Sequence, residues 1–101
     1  MEDISVQELK ERRDNGEALV LIDVREPYEW DEFNIGGELV PLGTIQAKLP
    51  DLEEYEESEV VVCCRSGARS AAAKDFLIKQ GFKKVRNLTG GVLAWQAAFG
   101  G

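Results

Sequence analysis

The chain has 101 residues, a formal net charge of −7 at pH 7, and 44% hydrophobic and 31% charged residues, without a single histidine. That length suits one compact domain over residues 1–101, the acidity argues against a nucleic-acid or anionic-membrane surface, and no apolar run approaches the ~20 residues that span a bilayer. Lacking histidine, the chain has no Cys–His or Ser–His catalysis open to it, and two adjacent cysteines alone do not make a zinc site.

In chain order, Met1-Glu2-Asp3-Ile4 is acidic and has no signal-peptide core, so the expected location is cytoplasmic, where thiols stay reduced. Ser5-Val6-Gln7-Glu8 reads as a capping box, opening a helix to about Arg13 with Val6 and Leu9 on its apolar side and Asn15-Gly16 as its stop. Leu19 to Val24 is an apolar run broken only by Asp23, as expected for a parallel strand covered on both faces. It ends in Asp23-Val24-Arg25-Glu26-Pro27, at the strand end where open α/β sheets hold their sites.

Pro27 at a first helical position predicts a short helix to about Phe33, and Asn34-Ile35-Gly36-Gly37 predicts a loop. Leu39-Val40 reads as a short strand turned by Pro41-Leu42-Gly43. A short helix over Thr44–Leu49 is expected to stop at Pro50, with a weak helix near Asp51–Tyr55. The acidic run Glu53–Glu57 reads as a solvated face.

Val60–Cys64 reads as the central strand and Ser70–Gln80 as the best helix, with Ala71, Phe76, Leu77 and Ile78 at helical spacings and Gly81 as its stop. A strand over Lys84–Leu88, a turn at Thr89-Gly90-Gly91 and a helix over Val92–Ala97 complete an alternation that indicates an α/β domain with a largely parallel sheet.

Between the central strand and the best helix lies Cys64-Arg65-Ser66-Gly67-Ala68-Arg69-Ser70, with both arginines inside a five-residue window of an acidic protein. Backbone N–H groups and the dipole at a helix start favour an anion, which lowers a thiol's pKa and makes Cys64 a nucleophile. Gly67 lets the backbone curl so that the amides of residues 65–70 turn inward. Arg69, in a helix's first turn where cations are disfavoured, is better explained by an anion than by a bare surface. Cys63, inside the apolar run and on the opposite strand face from Cys64, reads as core packing, and no disulfide between the two is expected. Trp30 and Trp95 read as packing residues, one of them a candidate for the pocket mouth.

This pattern, Cys-Arg-x-Gly-x-Arg-Ser, together with Asp23-Val24-Arg25 and Gly90-Gly91-x-x-x-Trp95, resembles the single-domain rhodanese-like sulfurtransferases over nearly the whole chain. Glu29-Trp30, Phe33 and Gly81-Phe82 followed by Val85 add to the likeness. One departure falls at Gly36–Leu42, where the family commonly carries Gly-His-Ile-x-Gly-Ala. The resemblance implies a rhodanese-like α/β fold with a small, mostly parallel five-stranded sheet flanked by helices on both faces. It implies thiosulfate sulfurtransferase activity without a cofactor or metal. Cys64 would take a sulfane sulfur from thiosulfate or a related persulfide donor and pass it to a thiol, a protein thiol or cyanide. Arg65, Ser66, Gly67, Ala68, Arg69 and Ser70 would bind the donor, Ser70 also capping the following helix, and Asp23 and Arg25 would brace the loop.

Two rivals stand beside this reading. One is a persulfide carrier or binding module that relays sulfur between partner proteins. The other is a cysteine phosphatase or arsenate reductase, whose spacing of five residues between Cys and Arg is met only from Cys63. From Cys64 the loop is one residue shorter, which suits a sulfur atom rather than a tetrahedral phosphate.

Overall fold

The structure, a computed structural model, describes residues 1–100. Ser5 caps the first helix, its Oγ accepting the Glu8 N–H at 3.0 Å, and α1 runs Val6–Asp14. The expected return contact from Glu8 is not made, because its carboxylate takes Arg86 instead, at 2.8 and 3.2 Å. Strands β1 (Val20–Asp23), β2 (Glu38–Leu39), β3 (Glu59–Cys63) and β4 (Lys84–Asn87) form one parallel sheet in the order β2-β1-β3-β4. The expected fifth strand is absent among the described residues, so the sheet has four strands. Beyond β4 the N-terminal segment makes only a single parallel bridge, Ile4 with Leu88. Ser5 already caps α1, so the chain turns away before a ladder can propagate.

Strand side chains alternate between two apolar clusters, as the pleat requires. Ile22, Val60, Val62, Cys64 and Val85 pack with Ile45 and Leu52 of α3 (Ile45–Leu52) and with Ala73 and Leu77 of α4 (Ala68–Lys79). Leu21, Val61 and Cys63 pack on the other face with Val6 and Leu9 of α1 and Val92 of α5 (Gly91–Phe99). Val60, Val61 and Val62 are wholly buried, which explains their unbroken apolar sequence, and each such side chain contributes roughly 1.5–3 kcal/mol.

Three boundaries differ from expectation. Helix α3 continues through Pro50 to Leu52 before a 3₁₀ turn at Glu53–Tyr55; the buried Ile45 and Leu52 hold both its ends on the core despite the lost backbone donor. Strand β2 lies one residue earlier, although Val40 N–H still bonds Asp23 O at 2.8 Å. Helix α4 begins at Ala68, because Gly67 at φ +116° takes the cap position. The helix then buries Ser70, Ala73 and Leu77 and leaves Ala71 and Ile78 exposed, so its apolar face is narrower than the spacing suggested.

The sheet order creates the site. From β1 the chain moves to one edge, and from β3 to the other, so a crevice opens between the carboxyl ends of β1 and β3. There Asp23 stands in register with Cys63.

Candidate active site

Cys64 follows the last residue of β3, and the next three residues curl back over its sulfur before α4 begins. Gly67 N–H donates to Cys64 Sγ at 3.0 Å, and Ser70 Oγ lies 3.3 Å from the same atom. The backbone N–H groups of Ser66 and Ser70 add an electrostatic pull toward the thiolate. Burial pushes the thiol's pKa up, but the Ser70 hydroxyl and the three N–H groups outweigh it, so Cys64 titrates below its ordinary value. Cys63, on the opposite face, is driven far upward by burial and by the Asp23 carboxylate. Its sulfur sits among the core residues of the α1 and α5 side, so the five-residue spacing to Arg69 does not enclose it.

The loop's shape is imposed from outside. The carbonyls of Cys64 and Arg65 accept the N–H groups of Val92 and Leu93 at 2.9 and 3.0 Å. With those carbonyls turned toward the start of α5, the amides that follow face the sulfur. A side chain at Gly91 would put its Cβ 2.5 Å from both carbonyl oxygens, at a φ of +60°. We therefore expect Gly91→Ala to cost about 2–4 kcal/mol, the overpacking and strain acting together, read as a lowered urea midpoint with slower alkylation of Cys64.

Asn87, at the end of β4, was not singled out from sequence; its place at a strand's carboxyl end was the available signal. It donates from Nδ2 to Gly67 O at 3.0 Å and accepts the Ser70 hydroxyl at 2.6 Å. Ser70 thus lies buried on the third helical position and does not cap the helix; its hydroxyl links Asn87 to the thiolate. Removing it in Ser70→Ala moves the midpoint of the Cys64 alkylation–pH curve upward. At pH 7 alkylation slows about tenfold, because a hydrogen bond to a charged group is lost.

The remaining predicted residues divide. Asp23 and Arg25 are buried together, with Arg25 Nε and Nη2 on the Asp23 oxygens at 2.8–3.0 Å. Arg25 Nη2 also donates to Phe33 O at 2.8 Å, tying the strand end to the segment after α2 (Pro27–Glu32). Arg69 is held by Glu29 of α2 in a two-pronged pair at 2.6 and 2.9 Å. Arg65 is exposed and makes no ion pair with any described residue, and Ala68 is exposed as well. A cleft of about 360 Å³ opens beside the loop, lined by Tyr28, Glu29, Glu32, Arg65 and Leu93 among others. Cys64 lies behind Arg65 and does not line it. Neither tryptophan lines it; Trp95 packs edge-on against Phe99 at 4.8 Å between ring centres. The donors around Cys64 are N–H and O–H groups, which suit an anionic sulfur species rather than a cation.

Residues 5–98 match the Rhodanese-like domain family. The chain is 40% identical to a protein named "Putative sulfurtransferase YtwF" of Bacillus subtilis, covering 95% of this chain and 91% of that one. It is equally 40% identical to "Probable adenylyltransferase/sulfurtransferase MoeZ" of Mycobacterium tuberculosis, but spans only 24% of that relative's length. A crystal structure of a rhodanese-related protein from Thermoplasma volcanium superimposes with a TM-score of 0.84 at 28% identity, over 98% of this chain and 94% of that one.

Proposed function

The chain belongs to the rhodanese-like domain family, and we propose that it is a sulfurtransferase working through a persulfide on Cys64. The Cys64 thiolate attacks the terminal sulfane sulfur of a persulfide or thiosulfate donor. The donor's S–S bond breaks, its thiolate or sulfite leaves with the electron pair, and a new S–S bond forms at Cys64. An acceptor thiolate or cyanide then attacks that outer sulfur and releases the Cys64 thiolate, with no net redox change. The observation that carries this reading is the cradle: the Gly67 N–H donates to the Cys64 sulfur at 3.0 Å and the Ser70 hydroxyl lies 3.3 Å from it, with the neighbouring Ser66 and Ser70 N–H groups also favouring the thiolate. Such preformed donors hold a sulfur anion through both steps without a proton shuttle, which suits a chain that has no histidine.

Arg65, exposed beside the cleft, is the cation best placed to meet an anionic donor or acceptor. Ser66, Gly67 and Ser70 hold the sulfur, Asp23 and Arg25 brace the crevice, and the expected setting is cytoplasmic. Incubation with excess persulfide or thiosulfate should add one sulfur atom, about 32 Da, to Cys64, and a thiol should remove it again. No mass gain from either donor would sink the reading. A relay between partner proteins is the second reading, favoured by the likeness to a relative named as a combined adenylyltransferase and sulfurtransferase. It predicts faster loading from a protein-bound persulfide than from small donors.

A further inference from the structure

The cationic residue that the loop pattern offers to an anionic donor is already occupied. Arg69 gives both terminal nitrogens to Glu29, at 2.6 and 2.9 Å. Glu29 is fixed in its own right: it is the third residue of α2, and its Oε1 accepts the Glu26 N–H at 3.0 Å in a capping box. Its side chain is only 12% exposed. Arg69 holds the Glu29 carboxyl down to about 2, against the upward push of burial, so the pair stays charged across the physiological range. Arg25 is likewise neutralised, by Asp23. Among the described residues around the loop and cleft, that leaves Arg65 with no ion-pair partner, in a cleft that Glu32 also lines. A dianion such as thiosulfate therefore meets one unpaired guanidinium at most, beside the Glu32 carboxylate, on a molecule of net charge −7. A persulfide on an otherwise uncharged organic thiol carries at most a single negative charge and incurs a smaller penalty, and the exposed Tyr28 and Leu93 give its carbon frame an apolar edge to lie on.

We infer that Glu29 is a specificity-determining residue: by holding Arg69, it turns the site away from small dianionic sulfur donors and toward persulfides carried on uncharged organic or peptide thiols. This rests on the sulfur-transfer reading above and deepens it. Glu29 touches neither sulfur nor donor; it acts through Arg69, by withholding a two-pronged guanidinium from a sulfonate. The position also explains how a cation is tolerated in the first turn of α4, since the Glu29 carboxylate supplies the negative charge that this helix end favours.

The test measures steady-state sulfur transfer with two donors, thiosulfate and the persulfide of N-acetylcysteine amide, in the wild type, Glu29→Gln and Glu29→Gln/Arg69→Gln. Glutamine keeps a capping oxygen on α2, and a matching urea midpoint verifies the fold. In Glu29→Gln, KM for thiosulfate should fall about tenfold with kcat nearly unchanged, while KM for the persulfide, with its uncharged carrier and no sulfonate, moves less than about twofold. The double variant should return the thiosulfate KM to the wild-type value or above, because the freed guanidinium is gone. An unchanged thiosulfate KM in Glu29→Gln, or an equal shift for both donors, overturns the role given to Glu29 while leaving sulfur transfer intact. Failure of the wild type to load Cys64 from either donor overturns the sulfur-transfer reading itself, and the role of Glu29 with it.

Discussion

Cys64→Ser should gain no sulfur from any donor and should show a transfer rate about 10³-fold or more below wild type, while Cys63→Ser keeps the wild-type rate within about twofold. The two residues are neighbours of the same type, so composition cannot separate them; the strand does. Cys64 faces the loop, where the Gly67 N–H donates to its sulfur and Ser70 Oγ lies 3.3 Å from it. Cys63 is turned to the other face, with no exposed surface, and its thiol is held in the protonated form by burial and by Asp23. A serine hydroxyl at position 63 enters an apolar cluster, and the unpaired group costs about 1–3 kcal/mol of stability. The activity of Cys63→Ser is therefore best read well below its thermal midpoint, with mass spectrometry of the loaded protein as the direct measure. Loading retained in Cys64→Ser and lost in Cys63→Ser would reverse the assignment.

Asp23→Ala should lower stability by about 3–5 kcal/mol, enough to unfold a marginal domain of this size. Arg25 is 4% exposed and Asp23 wholly buried, so removing the carboxylate leaves a guanidinium inside the crevice with only the carbonyls of Phe33 and Glu29 to meet it. The cost comes from the stranded charge more than from the lost attraction. Asp23→Ala/Arg25→Met should accordingly recover much of the loss, measured as urea midpoints of the two variants and wild type. Additive losses in the double variant would mean that the pair is not a single buried unit. Because Arg25 also ties β1 to the carbonyls of α2 and Phe33, the double variant should fold yet hold Glu29 less firmly against Arg69. Its preference between donors should then drift toward that of Glu29→Gln.

Much of the site is legible in the sequence. The spacing of Gly67 and Arg69 from Cys64, the absence of histidine and the apolar run ahead of Cys63 all act locally, through φ preference, the helix start and the strand pleat, and local effects are written in neighbouring residues. For the same reason the Ser5 cap, the helix stop at Gly81 and the opposite orientation of the two cysteines could be read directly. The number of strands could not, because a fifth strand depends on whether Ile4 finds a continuing partner beside Leu88. Nor could the partner of Arg69: Glu29 lies forty positions away in sequence, and only the packing of α2 beside the start of α4 brings the two charges together. Asn87 and Gly91 acquired their roles in the same way, one bonding the loop at Gly67 and the other letting α5 approach the carbonyls of Cys64 and Arg65. The sequence by itself singled out Cys64 as the proposed nucleophile and the loop that surrounds its sulfur, since both depend on residues within one turn of it. Only the tertiary structure decided which of the loop's cations remains unpaired, because charge pairing across a crevice is a matter of distance in space.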